Sequence, residues 1–250
     1  MNNNLMEILQ KFNNICKHGW YLVPQRGYGE NGLLFEKLIG LNNNELPVAD
    51  YNGVEIKVQS LASSYPITLF SLSLDGPSPF ELQRLVKRYG AYDKHFLNSK
   101  VMYVSLNSRT YSSWGRFIRF KLFCDIKNEK LYIIVSHSNG KTIEKKAFWS
   151  FATLKKTLFQ KMPLLCIVRS ISKFSNNKKY IKFSDINFYR LKSFDNFIYE
   201  ICNGNIEVQI KYGIHKSGKN MGKSYNHGIS FKIYDCNLLN IFEEIFLQKK

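Results

Sequence analysis

Near the start of the chain, Leu5, Ile8, Leu9, Phe12, Ile15 and Cys16 recur at helical spacing, the i, i+3, i+4, i+7 pattern of an amphipathic helix. Asn4 offers a cap and Gly19 a stop. A glycine-rich stretch, GYGENG, leads into a second short helix over 33–41 that closes at Gly40 and an asparagine run. Residues 54–58, flanked by Asn52-Gly53, and residues 67–72 are rich in β-branched or aromatic side chains and read as strands. Asp75-Gly76-Pro77 and Pro79 mark a turn, and FELQRLVKRYG after it predicts a basic helix ended by Gly90. The period then falls to two. Strands are expected over 101–106, 116–126 and 130–136, the last two forming a hairpin at Lys127-Asn128. A helix over 150–161 stops before Pro163, and the strands LLCIVRSI and KYIKFS follow it. The remaining order is a helix over 194–202, a strand over 206–212, a glycine- and lysine-rich loop over 213–228, a strand over 229–234 and a final helix. Helices and strands interleave without repeats, which predicts a mixed α+β (α/β) fold around one central mixed sheet flanked by helices.

Composition narrows the partners. With 44% hydrophobic and 15% aromatic residues the chain can bury a core, and its 250 residues fit one domain. Thirty-six Lys and Arg against 19 Asp and Glu leave a formal charge of +17, which favours a polyanionic partner. Membrane is the weaker choice, because no apolar run approaches the ~18 residues of a spanning helix. The N-terminus also lacks the charged-then-apolar order of a secretory signal. The five cysteines, Cys16, Cys124, Cys166, Cys202 and Cys236, are scattered and include no Cys-x-x-Cys pair, as expected for reduced, buried thiols in the cytoplasm.

The chemistry concentrates in FEKLIGLNNNELPVADYNGVEIKV, which runs from Phe35 to Val58. Along a strand VEIKV, Glu55 and Lys57 project from one face while Val54, Ile56 and Val58 project from the other. Asp50 precedes the strand by a turn containing Asn52-Gly53, which can set its carboxylate beside that of Glu55. Two adjacent carboxylates suit a hard cation such as Mg²⁺, and a neighbouring lysine can stabilise charge developing on a phosphoryl group. Glu36, on the second predicted helix, can turn toward the same cleft. More often, such residues on a half-exposed strand form a solvated face whose ion pairs are worth about 0–1 kcal/mol. The upstream continuation to Glu36 and the charge of +17 argue against that simpler explanation.

Pro47…Asp50-x₄-Glu55-Ile-Lys57, with Gly32-x₃-Glu36 upstream, resembles the PD-(D/E)xK nuclease signature, and in particular its MutH-like branch and the MvaI/BcnI restriction endonuclease family. The usual Pro-Asp pair is interrupted here by Val48-Ala49. The likeness extends through Trp20, Thr68-Leu69-Phe70, Arg88-Tyr89-Gly90, Trp149-Ser150-Phe151, Lys179-Tyr180 and Asn203-Gly204-Asn205-Ile206. It is most specific at His215-x-Ser217-Gly218-Lys219-x₂-Gly222-Lys223-x₃-His227-Gly228, and weaker over 75–100. The resemblance implies a type II restriction endonuclease that hydrolyses double-stranded DNA at a short pseudopalindromic site. It also implies a monomer that nicks the strands in sequence and a companion DNA methyltransferase in the cell. One nuclease domain over 1–250 is expected, in one lobe or two, its catalytic part mainly in 1–110 and its DNA-recognition part mainly in 111–250.

The expected catalytic set is Glu36, Asp50, Glu55 and Lys57, with Asp50 and Glu55 binding Mg²⁺. His215, Lys216, Lys219, Lys223, Tyr225, Asn226 and His227 are expected to contact DNA, joined by Arg26 from the glycine-rich segment. Histidine can donate to or accept from base edges, whereas lysines reach guanine acceptors or phosphates. Two alternatives stay open at this point: a MutH-like repair nickase, and a non-catalytic basic nucleic-acid-binding protein.

Overall fold

The computed structural model describes residues 2–24, 29–41 and 48–247, without the side chains of Asn2 and His227. Its elements, in chain order, begin with α1 (Asn2–His18), β1 (Tyr21–Leu22), α2 (Glu30–Leu38), β2 (Val54–Ser60), β3 (Ile67–Ser71), α3 (Glu81–Tyr89), β4 (Ala91–Tyr92) and β5 (Lys100–Leu106). There follow β6 (Ser112–Trp114), β7 (Ile118–Asp125), β8 (Lys130–His137), β9 (Thr142–Ser150), α4 (Phe151–Lys161), β10 (Leu164–Ser175) and β11 (Lys178–Leu191). The last elements are α5 (Phe194–Cys202), β12 (Ile206–Ile214), β13 (Ser224–Ile233), α6 (Leu238–Ile241) and β14 (Phe242–Ile245). The fold is mixed α+β, and its strands are distributed over three sheets. Among the described residues no helix is long and apolar enough to cross a membrane.

The chain divides into two compact units, and both draw on segments from either side of residue 110. The first comprises Met1–Ile67, Leu158–Lys192 and Leu238–Lys250. Its sheet runs β1-β11-β10-β2, with β14 also on β11. It is mixed, because β2 lies parallel to β10 while β10 and β11 form an antiparallel hairpin. That hairpin turns at Asn176 and Asn177, both with positive φ, a conformation asparagine tolerates better than most residues. Leu5, Ile8, Phe12 and Ile15 of α1 and Phe35 of α2 pack with Val54, Ile56, Cys166, Val168 and Phe183 of the sheet. The helical period of α1 and the strand period of β2 thus meet in one core.

The second unit comprises Thr68–Thr157 and Ser193–Asn237. It contains the sheet β3-β13-β12-β5-β4 and the antiparallel sheet β6-β7-β8-β9. Trp149 packs edge-on against Phe231 with ring centroids 5.3 Å apart, and its indole N–H donates to the Leu72 carbonyl.

The short strands β1, β4 and β6 were not expected, only Cys166 of the five cysteines is buried, and two longer elements also differ from the expectation. The C-terminal helix is a single short turn, α6, after which the chain becomes β14 and pairs antiparallel with β11. Backbone pairing at the open edge of β11 takes precedence there over helical continuation. Strand β9 was not expected at all. Lys145-Lys146 breaks the apolar alternation, and the register against β8 shifts twice, so the period-two signal is lost.

Candidate active site

Asp50, Glu55 and Lys57 are brought together by a tight hairpin. Tyr51 and Val54 exchange both backbone hydrogen bonds, each 2.9 Å. The two residues between them, Asn52 (φ 46) and Gly53 (φ 88), are both left-handed, as a type I′ turn requires. The Ile56 amide then donates to Asp50 Oδ2 at 2.9 Å, fixing this carboxylate at the base of β2. On the strand itself Val54 and Ile56 enter the core, so Glu55 and Lys57 share the other face, where they form an ion pair.

Glu55 is 4% exposed. Its Oε1 accepts from Lys57, while its Oε2 is buried without a hydrogen-bond partner. Lys161 Nζ, at the end of α4, stands 3.8 Å from that oxygen and donates to the Val48 carbonyl at 2.6 Å. Burial pushes the Glu55 carboxyl above its ordinary range; the charge of Asp50 adds to this, and Lys57 and Lys161 oppose it. Glu36 is half-buried on α2, and its carboxyl is raised first by burial and then by Asp50, against the pull of Lys57. The helix that carries it is tied down at both ends. Lys179 of β11 pairs with Glu30 and donates to Asn31 Oδ1 at 3.1 Å, while Lys11 of α1 donates to the Ile39 carbonyl at 3.0 Å and to Tyr51 Oη at 2.9 Å.

In the second unit, β12 and β13 extend further than the sequence suggests, leaving only 215–223 as their connector. It is an ordered hairpin end. The His215 amide donates to the Lys223 carbonyl and the Gly222 amide to the His215 carbonyl, both at 2.9 Å. Gly213 lets the strands lie against aromatic rings: a Cβ there would fall 1.9 Å from Tyr103 Oη. Tyr103 and Tyr225 share a hydrogen bond of 3.0 Å, and the His215 ring stands edge-on to Tyr225 at 5.0 Å. Pairing along β12 and β13 slips between Ile210 and Tyr212, opposite the His227-Gly228 step, and Gly228 there has φ 81. Lys219 and Lys223 are exposed, whereas Lys216 is paired with Asp93. Asn226 Oδ1 accepts from the Gly228 amide at 2.8 Å.

A family model of the MvaI/BcnI restriction endonucleases matches residues 9–242. The chain belongs to the MvaI/BcnI restriction endonuclease family. Its structure is similar to that of the restriction endonuclease MvaI in complex with cognate DNA, with a TM-score of 0.89 and 26% identity over 97% of this chain and 96% of that one. MvaI in the absence of DNA aligns with a TM-score of 0.63 and 26% identity over 98% of each chain. No curated relative matches the chain.

As a member of this family the chain is a site-specific DNA endonuclease. Of the residues the sequence nominated for that chemistry, the structure brings Asp50, Glu55 and Lys57 together on β2 and its turn, with Glu36 near enough to feel Asp50 and Lys57. Arg26 and Pro47 lie outside the described residues, as does the His227 side chain. Lys161 is the neighbour that sequence reading missed. No local pattern marks it, since it meets Val48 across 113 residues of chain.

The donor set fits a divalent cation. A buried carboxylate oxygen without a donor, beside a second carboxylate, suits an ion that takes one or two protein carboxylates and completes its shell with water and phosphate oxygens. Among the described residues no three His, Cys, Asp or Glu side chains form a metal-holding cluster.

Proposed function

We propose that this restriction endonuclease is a Mg²⁺-dependent type II enzyme in which Asp50 and Glu55 hold the metal, Lys57 acts on the phosphoryl group and Glu36 adds negative charge nearby. The observation that carries the reading is the buried, unpartnered Oε2 of Glu55, set between Lys57, Lys161 and the Asp50 turn. A folded protein normally leaves few buried oxygens unpaired, and each calls for a reason. Bound there, the metal would polarise the scissile phosphoryl group and lower the pKa of a coordinated water. Lys57, held by its ion pair to Glu55, places an ammonium where charge develops on phosphoryl oxygens. Asp50, pinned by the Ile56 amide, keeps its carboxylate in position without reorganisation.

We assign base reading to the 215–223 connector and the adjoining ends of β12 and β13, with His215, Tyr225, Asn226 and His227 toward base edges and Lys219 and Lys223 toward phosphates. A hydrogen-bonded hairpin end seated on aromatic rings supports this assignment, because base readout needs side chains held in register. The enzyme acts as a monomer in the cytoplasm and nicks the two strands of a pseudopalindromic site in turn, and a companion DNA methyltransferase shields the host.

Digestion of a sequenced supercoiled plasmid by the purified chain tests these points. With Mg²⁺, open circles should precede linear product, end mapping should return one short site, and EDTA should stop the reaction. Linear product without an open-circle stage, or cutting that survives EDTA, would reject sequential nicking or metal dependence respectively.

A further inference from the structure

Lys216 looks from the sequence like one more phosphate- or base-seeking lysine, but its ammonium is paired with Asp93 of the second unit. Asp93 is 7% exposed. Its Oδ1 accepts from the His95 amide at 2.8 Å and the Phe96 amide at 3.1 Å, which leaves Oδ2 for Lys216. The short segment 93–96 forms a seat for the connector. Lys216 Nζ passes 5.7 Å from the centroid of the Phe96 ring, and a Cβ on Gly222, across the connector, would meet the same ring at 3.3 Å.

We propose that Lys216 and Asp93 form an internal clamp that holds the 215–223 connector in its DNA-reading conformation, so that the pair sets site preference without touching phosphate or base. This inference rests on the reading that the connector meets DNA. Electrostatics favour the clamp. Drawing the ammonium away to a phosphate would leave a poorly solvated carboxylate facing a polyanion. Lys219 and Lys223, exposed on the same connector, can serve phosphates without that loss. The Lys216 hydrogen bond, helped by the His95 amide, holds the Asp93 carboxyl down at about 2, so the carboxylate is charged at any working pH.

The test compares Lys216→Met, Asp93→Asn and the double variant of the full chain. The probes are a duplex carrying the mapped cleavage site and a scrambled duplex of equal composition, titrated over a range of salt without cleavage-supporting metal. Methionine keeps the apolar stem over Phe96, and asparagine keeps an oxygen for the two amides, so both variants are expected to fold, as a thermal melt verifies. Each single change should weaken the site duplex about tenfold, leave the scrambled duplex and the salt slope unchanged, and add nothing further in the double variant. A phosphate contact behaves differently: Lys216→Met would weaken both duplexes and reduce the salt slope by about 0.9, while Asp93→Asn would bind like wild type. That result overturns the clamp. Lys219→Met and Lys223→Met are the controls for the underlying reading. If both leave every affinity and slope untouched, the connector does not meet DNA and the clamp falls with it; if they lower the slope, the result for Lys216 decides the clamp alone.

Discussion

Two buried glutamates, one in each unit, make opposite use of their basic neighbours. Glu144 of β9 is 6% exposed, and both of its oxygens are occupied. Arg84 Nη1 at 3.2 Å, Arg88 Nη1 at 3.1 Å and Tyr89 Oη at 2.9 Å reach Oε2, and Arg84 Nη2 reaches Oε1. Glu81, 1% exposed, completes the network by accepting from Arg84 Nε at 2.9 Å. Burial alone would raise the Glu144 carboxyl; the Arg84 and Tyr89 hydrogen bonds and the arginine charges hold it below its ordinary range. Glu55 is as deeply placed, yet one oxygen lacks a donor and its carboxyl is pushed upward. A saturated carboxylate of the first kind fastens α3 to β9. One left short of donors has affinity to spare for a cation, and that difference separates a structural cluster from a chemical one more sharply than charge or burial does.

The largest effect that would break this contrast lies in catalysis. Asp50→Asn, Glu55→Gln and Lys57→Ala should each remove plasmid cleavage while leaving DNA binding, since one such transition-state interaction is often worth roughly 3–4 kcal/mol. Near-wild-type cutting by any of the three would end the assignment. Glu55→Gln should also leave the metal-free protein at least as thermally stable as wild type, because it removes a buried charge that the fold does not fully satisfy. A clear drop in its melting temperature would show that Glu55 is structural after all.

Arg84→Met should do the reverse. It strands Glu81 and leaves Glu144 Oε1 without its donor, on side chains that are 1% and 3% exposed, and breaking a buried pair in this way typically costs about 3–5 kcal/mol. For a chain of this size the melting temperature should fall by roughly 6–20 °C, with cleavage per folded molecule little changed. A melting temperature within a degree of wild type would mean that the network adds nothing to stability.

The pH response supplies a smaller, signed test of the same pair. A carboxyl whose folded pKa is depressed contributes stability that is present above its unfolded value, about 4.3 for Glu, and is lost as pH falls through the lower folded value. The stability gap between wild type and Glu144→Gln should therefore be constant from neutral pH down to about 5 and shrink below about 4.3. A gap that widened on acidification would contradict the saturated network.

What could be foreseen in the sequence followed local physics. The alternation VEIKV was enough to put Glu55 and Lys57 on one face, and Asn52-Gly53 was enough to bend Asp50 back beside them. Whatever depends on pairing between distant segments was hidden. The strands distribute over three sheets because β2 pairs with β10 and β3 with β13, choices that no period reveals. Likewise, Lys216 carries the same charge in the sequence as Lys219 and Lys223, and only the fold shows that Asp93 occupies it. The C-terminal apolar spacing fitted a helix, but the edge of β11 drew it into β14.

Lys161 gives the smallest expected effect and tests the contrast from the side of the neighbours. It is the only described residue outside the Asp50 turn and β2 whose ammonium is paired with Glu55, at 3.8 Å, a distance too long for a hydrogen bond. Its real hydrogen bond goes to the Val48 carbonyl at 2.6 Å, two residues before Asp50. The side chain therefore anchors the segment that carries Asp50 while lending positive charge to Glu55 without occupying its free oxygen. Losing one such hydrogen bond is worth about 1 kcal/mol, so Lys161→Met should slow single-turnover cleavage by about fivefold. DNA affinity and its salt slope should stay as in wild type, and Lys161→Arg, which can still reach the Val48 carbonyl, should recover most of the rate. A methionine variant that cuts at full speed would reduce Lys161 to a surface ion pair. One that loses DNA affinity with an altered salt slope would make it a phosphate contact instead of a positioning residue.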